Sequence, residues 1–150
     1  MKLLAVAAAL AATTLVTPGQ SASGSDPEAM IRGLYARHAL PEGRALDRYL
    51  ARDLANAYRK DSASPDEVGA ANDFDWRYGA QDVQIRDLRF ARSGPVVRVS
   101  YRSFGRPYTV NWSLCRRGPG WRIADVSGQG GGETWSLRGL LKLPSPGVRC

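Results

Sequence analysis

The first apolar feature is an unbroken run from Leu3 to Ala12, extended by Leu15-Val16 and closed by Pro18-Gly19. Lys2 precedes it, and the small residues Ser21, Ala22 and Ser23 follow it. Charge, apolar stretch and small residues in that order form a secretory signal over residues 1–23. A bilayer span needs roughly 20 apolar residues; this run falls short, and no later stretch comes close. Cleavage is expected to leave Ser23 or Gly24 first. No cysteine stands there to take a lipid, so the expected product is periplasmic or secreted, without a transmembrane span. Residues 24–150 are then the size of one domain with one core.

Past the leader, the apolar spacing is helical. Asp26-Pro27-Glu28 is a helix start, with Asp26 as N-cap and Pro27 in the first turn. Met30, Ile31, Leu34, Tyr35 and His38 recur at three- and four-residue intervals, and Pro41-Glu42-Gly43 is the expected stop. A second helix is predicted over 45–59, with Leu46, Tyr49, Leu50, Leu54, Ala57 and Tyr58 on its apolar side. Residues 61–65 read as a loop, and Pro65-Asp66-Glu67 as the start of a short third helix ended by Gly69.

After Asn72 the period becomes two. Val83 and Ile85 alternate with polar neighbours, whereas Leu88 and Phe90 do so in the opposite phase, which predicts a β-bulge near Arg86-Asp87. Val97, Val99 and Tyr101 share one face, as do Tyr108, Val110, Trp112 and Leu114. A fourth strand is predicted from Trp121 to Val126, with Gln129-Gly130-Gly131-Gly132 a flexible loop and a last helix from Trp135 to Leu143. Turn signals at Ser93-Gly94, Gly105-Arg106 and 117–120 join the strands as an antiparallel meander. The expected class is α+β, with N-terminal helices packed on a curved antiparallel sheet of about four strands and a short C-terminal helix. Such a sheet encloses a cone, whose mouth is where a pocket would lie.

Charge and cysteines change this picture only modestly. The chain carries 21 Lys+Arg against 14 Asp+Glu, a net charge of +7. The basic residues, almost all arginine, are spread along the sequence. Nucleic acid is not an expected partner of an exported protein, whereas an anionic partner such as lipid headgroups or cell-wall polymer suits the charge. Cys115 and Cys150 are the two cysteines, and export makes one disulfide between them the expected pairing. Their spacing matches no metal site.

Five segments, Tyr35-Ala36, the Tyr49-Leu50-Ala51-Arg52-Asp53-Leu54 string, Asp73-Phe74-Asp75-Trp76, Gly79-Ala80-Gln81-Asp82 and Gly120-Trp121-Arg122-Ile123-Ala124-Asp125-Val126, can be taken together. They resemble the DUF3828 family of exported bacterial proteins, which is similar in fold to the NTF2-like superfamily. The resemblance covers nearly all of 24–150 and implies an NTF2-like cone and export. The family's function is uncharacterised, so the resemblance carries over no catalytic residue.

The most unusual stretch is 73–82, with three carboxylates, an amide and three aromatics at the helix-to-sheet junction. Two readings stand. Trp76 and Tyr78 could offer a ligand rim with Asp73, Asp75, Gln81 and Asp82 as polar partners. Alternatively, Phe74 and Trp76 plug the core while the aspartates cap turns or pair with arginines. A calcium site is disfavoured by the spacing and by Arg77 among the carboxylates. Asp125 is a second candidate, placed by alternation on the face of Trp121 and Ile123, where a desolvated carboxylate could serve as a base; the bland reading is a solvent or arginine contact. Tyr35, Tyr58 and Asn111 are candidates for the same cone. His38, the single histidine, reads as a partner for a helix C-terminus. No P-loop or dinucleotide fingerprint occurs, and no cofactor or metal is expected.

The expected function is therefore a non-enzymatic exported protein that binds a small ligand or protein partner at the cone mouth or outer sheet, with a homodimer through the sheet as a further use of that surface. The alternatives are a small isomerase- or hydrolase-type enzyme using an Asp in the cone, and an inhibitor or immunity-type protein.

Overall fold

A computed structural model describes residues 26–62, 71, 75–130, 132–146 and 150. The apolar leader, the helix start expected at Pro65, and Asp73 and Phe74 lie outside the described residues.

Helix α1 spans Pro27–Tyr35. Asp26 is extended, and its Oδ1 accepts from the Glu28 N–H at 3.0 Å. Pro27 occupies a first-turn position whose missing N–H has no helical partner to lose. Met30, Ile31 and Leu34 bury one side of α1, while Glu28 and Arg32 pair across one turn on the other.

The helix expected over 45–59 is broken in two. A 3₁₀ helix covers Gly43–Arg48 and α2 covers Arg52–Ser62. Between them the backbone leaves the helix to pair with a strand edge: Ala51 N–H donates to Ile123 O at 2.8 Å, and Ile123 N–H donates to Tyr49 O at 2.7 Å. Leu46, Leu50 and Leu54 are all buried nonetheless. The helical spacing reported which side chains face the core, and long-range hydrogen bonds decided the backbone path.

Strands β1 (Ile85–Ser93), β2 (Val96–Ser103), β3 (Arg106–Arg117), β4 (Gly120–Gly130) and β5 (Glu133–Ser136) form one antiparallel sheet in sequence order. There are thus five strands rather than about four, and the final helix, α3, is only Leu137–Leu140. The expected loop is shortened: Gln129 and Gly130 continue β4, where aromatic rings lie over Gly128 and Gly130, Gly132 stays in the turn to β5, and Gly131 lies outside the described residues. A Cβ on Gly128 would stand 2.3 Å from Trp135 Nε1, and one on Gly130 2.0 Å from Tyr108 Cδ1.

The bulge expected in β1 is present. The register slips between Arg86 and Arg89, with Asp87 at φ 55°. A second bulge was not legible in the alternation. In β4, Ser113 pairs with Asp125 and Leu114 with Ile123, which leaves Ala124 as the extra residue. Ile123 and Ala124 are therefore both buried, and the alternation resumes one residue out of phase.

One sheet face carries Val97, Val99, Tyr101, Val110, Trp112, Leu114 and Val126, and closes on Ile31, Leu34, Leu54 and Trp76 as the core. The other face carries Arg98, Ser100, Arg102, Thr109 and Asn111. Cys115, on that outer side, is covered by the C-terminal residue: Cys115 and Cys150 are joined as a disulfide with Cα atoms 5.4 Å apart. No helix among the described residues is long and apolar enough to cross a membrane.

Candidate functional site

The segment 75–82 connects the helices to the sheet, and Arg77 anchors it. Arg77 is only 3% exposed. Its Nη1 donates to the carbonyls of Leu34 at 3.1 Å and Arg37 at 2.8 Å, and its Nη2 to that of His38 at 3.3 Å. Nε donates to both carboxylate oxygens of Asp75 at 3.0 Å, and Nη2 reaches Oδ2 as well. One guanidinium thereby ties the Leu34 carbonyl of α1 to the Arg37 and His38 carbonyls of the turn that follows and neutralises the neighbouring carboxylate. The His38 contact to this anchor is made by its carbonyl.

Behind this anchor the interior is filled with aromatic rings. Trp76 is 1% exposed and Trp112 fully buried, with centroids 5.5 Å apart. Tyr35 meets Tyr78, Phe90 and Trp112 edge-on at 5.3–5.9 Å. The polar tips are satisfied locally: Tyr35 donates to the Arg77 carbonyl, Tyr101 to the Tyr78 carbonyl, and the Trp112 indole N–H to the Tyr35 hydroxyl at 3.4 Å. Burial pushes the Tyr35, Tyr78 and Tyr101 hydroxyls up, so each stays protonated, and those of Tyr35 and Tyr101 act as donors. Trp76 is thus a core residue, as the structural reading of the segment had it for that side chain, and Tyr35 packs partly buried against the core.

The aromatic chain reaches a surface cleft at Tyr58. The Trp76 indole N–H points at the Tyr58 hydroxyl at 3.4 Å, and Tyr58 lines a cleft of about 640 Å³ with Leu40, Glu42, Leu46, Asp75 and Gln81. Burial raises the Tyr58 pKa, opposed by the indole hydrogen bond, so the hydroxyl is a neutral donor and acceptor. The walls combine apolar surface from Leu40, Pro41 and Leu46 with acceptors from Glu42 and Asp75. A second groove of about 550 Å³ runs beside the β3–β5 end of the sheet, lined by Arg106, Thr109, Gln129, Glu133 and Thr134. No aromatic residue or sequence candidate is among its described lining residues.

Of the sequence candidates, Tyr58, Asp75 and Gln81 come together in the first cleft. Asp82 is exposed and does not line it, and Asp73 lies outside the described residues. Two placements are corrected. Asn111 lies on the outer face of β3, where its Oδ1 accepts from Arg98 Nε at 3.2 Å, because strict alternation separates it from Val110 and Trp112. Asp125 does not share the face of Ile123, since the bulge at Ala124 reverses the phase. Its Oδ1 instead accepts from Val126 N–H at 2.9 Å and Arg138 N–H at 3.0 Å, tying β4 to α3. Burial raises its pKa against those two hydrogen bonds.

Two residues that sequence reasoning passed over hold the site's frame. Arg77 carried one signal, as the only cation inside an acidic-aromatic stretch. Arg138 carried none: it is 4% exposed, and it donates to the carbonyls of Ala124 and Pro144 and to Asp53 Oδ2 at 2.6 Å. Among the described residues no group of three or more His, Cys, Asp or Glu is placed to hold a metal ion. Compared with protein-family models, curated proteins and solved structures, the chain matches none.

Proposed function

We propose that this chain is a small exported binding protein of NTF2-like build, which holds a small ligand in the cleft beside Tyr58. The observation that carries the reading is the cleft itself. It lies at the helix-to-sheet junction and combines apolar walls with the Tyr58 hydroxyl and the Glu42 and Asp75 acceptors. Arg77 fixes the backbone on either side of it. An apolar pocket with a few convergent polar groups is the usual form of a ligand site. Its acceptor-rich lining favours a ligand with hydrogen-bond donors on an apolar body, such as an aryl amine, an amide or a phenol.

The cone-like arrangement is supported by the five-strand meander, the bulges in β1 and β4 that allow it to curl, and helices gathered on one face. The resemblance to the DUF3828 family points the same way. Export is supported by the leader pattern of residues 1–23 and by the Cys115–Cys150 pair. An enzymatic role finds less support, because Trp76 and Trp112 occupy the interior and Asp125 is engaged in holding α3.

The test is a ligand-detected NMR screen of small amines, amides and phenols. Leu46→Trp, which fills the cleft from one wall, serves as the control. Binders should lose their signal with Leu46→Trp and weaken with Tyr58→Phe. A panel without binders, or binding that survives Leu46→Trp, would overturn the reading. Mass spectrometry of the protein recovered from the producing cells should show Ser23 or Gly24 at the N-terminus and no free thiol.

A further inference from the structure

The hairpin joining β2 to β3 has a composition that the fold does not require. Its two-residue turn is Phe104-Gly105, with φ 47° and 79°. Positive φ at both central positions defines a type I′ turn, for which Asn-Gly is favoured. The other tight hairpins place glycine at the left-handed position, Gly94 before Pro95 and Gly118 before Pro119, at φ 56° and 57°. An aromatic side chain is disfavoured in that region. Phe104 is nevertheless 68% exposed, and among the described residues the other large exposed apolar side chain, Leu88 at 38%, lies in the β1 bulge at the same end of the sheet.

Arginines surround this tip. Arg102 and Arg106 flank the turn, and Arg86 is paired directly across from Arg102. Arg89 and Arg98 continue along the outer face of Arg86 and Arg102, whereas Arg106, paired with Ser103, stands at the tip on the other face. Like charges directly opposite on neighbouring strands oppose folding. Among the described residues none of these five arginines forms an ion pair. Asp82 before β1, Asp87 in the bulge and Glu133 in β5 are described carboxylates toward that end, and none forms an ion pair with them. Arg102 Nη2 instead donates to the Gly105 carbonyl, which holds its guanidinium beside the turn.

We propose that this tip docks on an anionic lipid bilayer, with the Phe104 ring at the headgroup–acyl boundary and Arg86, Arg102 and Arg106 on lipid phosphates. Cationic side chains near an anionic leaflet are drawn to it, and an exposed apolar ring rimmed by charge suits an interface that is wet on one side and apolar on the other. A polyphosphate or acidic polysaccharide would use the arginines but has no use for Phe104 or Leu88, and for that reason the lipid surface is the occupant.

The experiment uses the full chain with vesicles of phosphatidylglycerol and phosphatidylcholine in equal parts, and with phosphatidylcholine alone. Amide hydrogen exchange over residues 102–106 reports on the tip itself, independently of any attachment through the apolar leader. Anionic vesicles should slow exchange there, and neutral vesicles should not. Phe104→Asn restores the preferred turn pair, so folding is retained while the vesicle partition coefficient falls about tenfold, part of the value of burying a full Phe. Arg86→Gln with Arg102→Gln should weaken it about thirtyfold. Unchanged exchange at 102–106, equal binding to both vesicle types, or affinity that survives Phe104→Asn would each overturn the proposal. Loss with the arginine variants alone would make the face a polyanion site instead.

Discussion

Replacing Arg77 tests the claim that one buried guanidinium joins α1 to the segment lining the cleft. In Arg77→Ala the carbonyls of Arg37 and His38 lose this donor, that of Leu34 keeps the Arg37 N–H, and Asp75 loses its countercharge. Breaking a buried charged pair by removing one partner costs about 3–5 kcal/mol. The Asp75 side chain is 28% exposed and recovers some hydration, so the lower end applies, about 3 kcal/mol. For a domain of this size that is roughly a 10 °C fall in Tm. Arg77→Lys retains the charge, but a point-like ammonium cannot span three carbonyls and a carboxylate at once. It should still lose about 2 kcal/mol. Urea unfolding followed by tryptophan fluorescence reads this directly, because Trp76 and Trp112 are buried beside the anchor. The cycle with Asp75→Ala should show a coupling of about 1–2 kcal/mol. A lysine variant as stable as the parent, or a cycle without coupling, would refute the reasoning.

Other expectations follow from the same contacts. Cys150→Ser opens a bridge with a sequence separation of 35 and should cost up to about 4 kcal/mol in the chain-entropy model, read as a lower urea midpoint. Gly128→Ala drives a Cβ into the Trp135 ring and should cost about 1–3 kcal/mol with an altered near-ultraviolet dichroism. Phe104→Asn should raise stability by about 0.5–1 kcal/mol by relieving an aromatic residue at positive φ. The pH profile separates two carboxylates of opposite sign. The hydrogen bond from Arg138 lowers the Asp53 pKa, so the stability from Asp53 is present above its unfolded value and is lost as pH falls through the folded one; Asp53→Asn should flatten the stability profile below about pH 4. Burial raises the Asp125 pKa, so its contribution is full below the unfolded value and is lost as pH rises through the folded one. Asp125→Asn keeps a carbonyl oxygen for both backbone donors that Oδ1 now accepts, and should be neutral to stabilising at pH 7. Chemical denaturation across pH checks both.

Much of the burial in this protein was determined by the sequence alone. The spacing of Ile31, Leu34, Leu46, Leu50 and Leu54, and the alternation of Val97, Val99, Tyr101, Val110 and Trp112, mark side chains that are all buried. Period follows from local backbone geometry, and burial follows from period. The N-cap at Asp26 and the bulge at Arg86–Arg89 were legible for the same reason, since each is specified by residues a few positions apart. Tertiary structure alone decided whatever depended on distant partners. Residues 49–51 left the helix for hydrogen bonds to Ile123, more than seventy residues away. The Gly128 and Gly130 segment became a strand because Trp135 and Tyr108 cover it. Ala124 reversed the facing of Asp125, and Arg77 and Arg138 were drawn inside by carbonyls that no spacing rule could have assigned to them. Of the candidate site, Tyr58, Asp75 and Gln81 were legible as residue types at a junction. Their meeting in one cleft with Leu40, Glu42 and Leu46 was not, because it required the chain between α1 and α2 to fold across the end of the sheet.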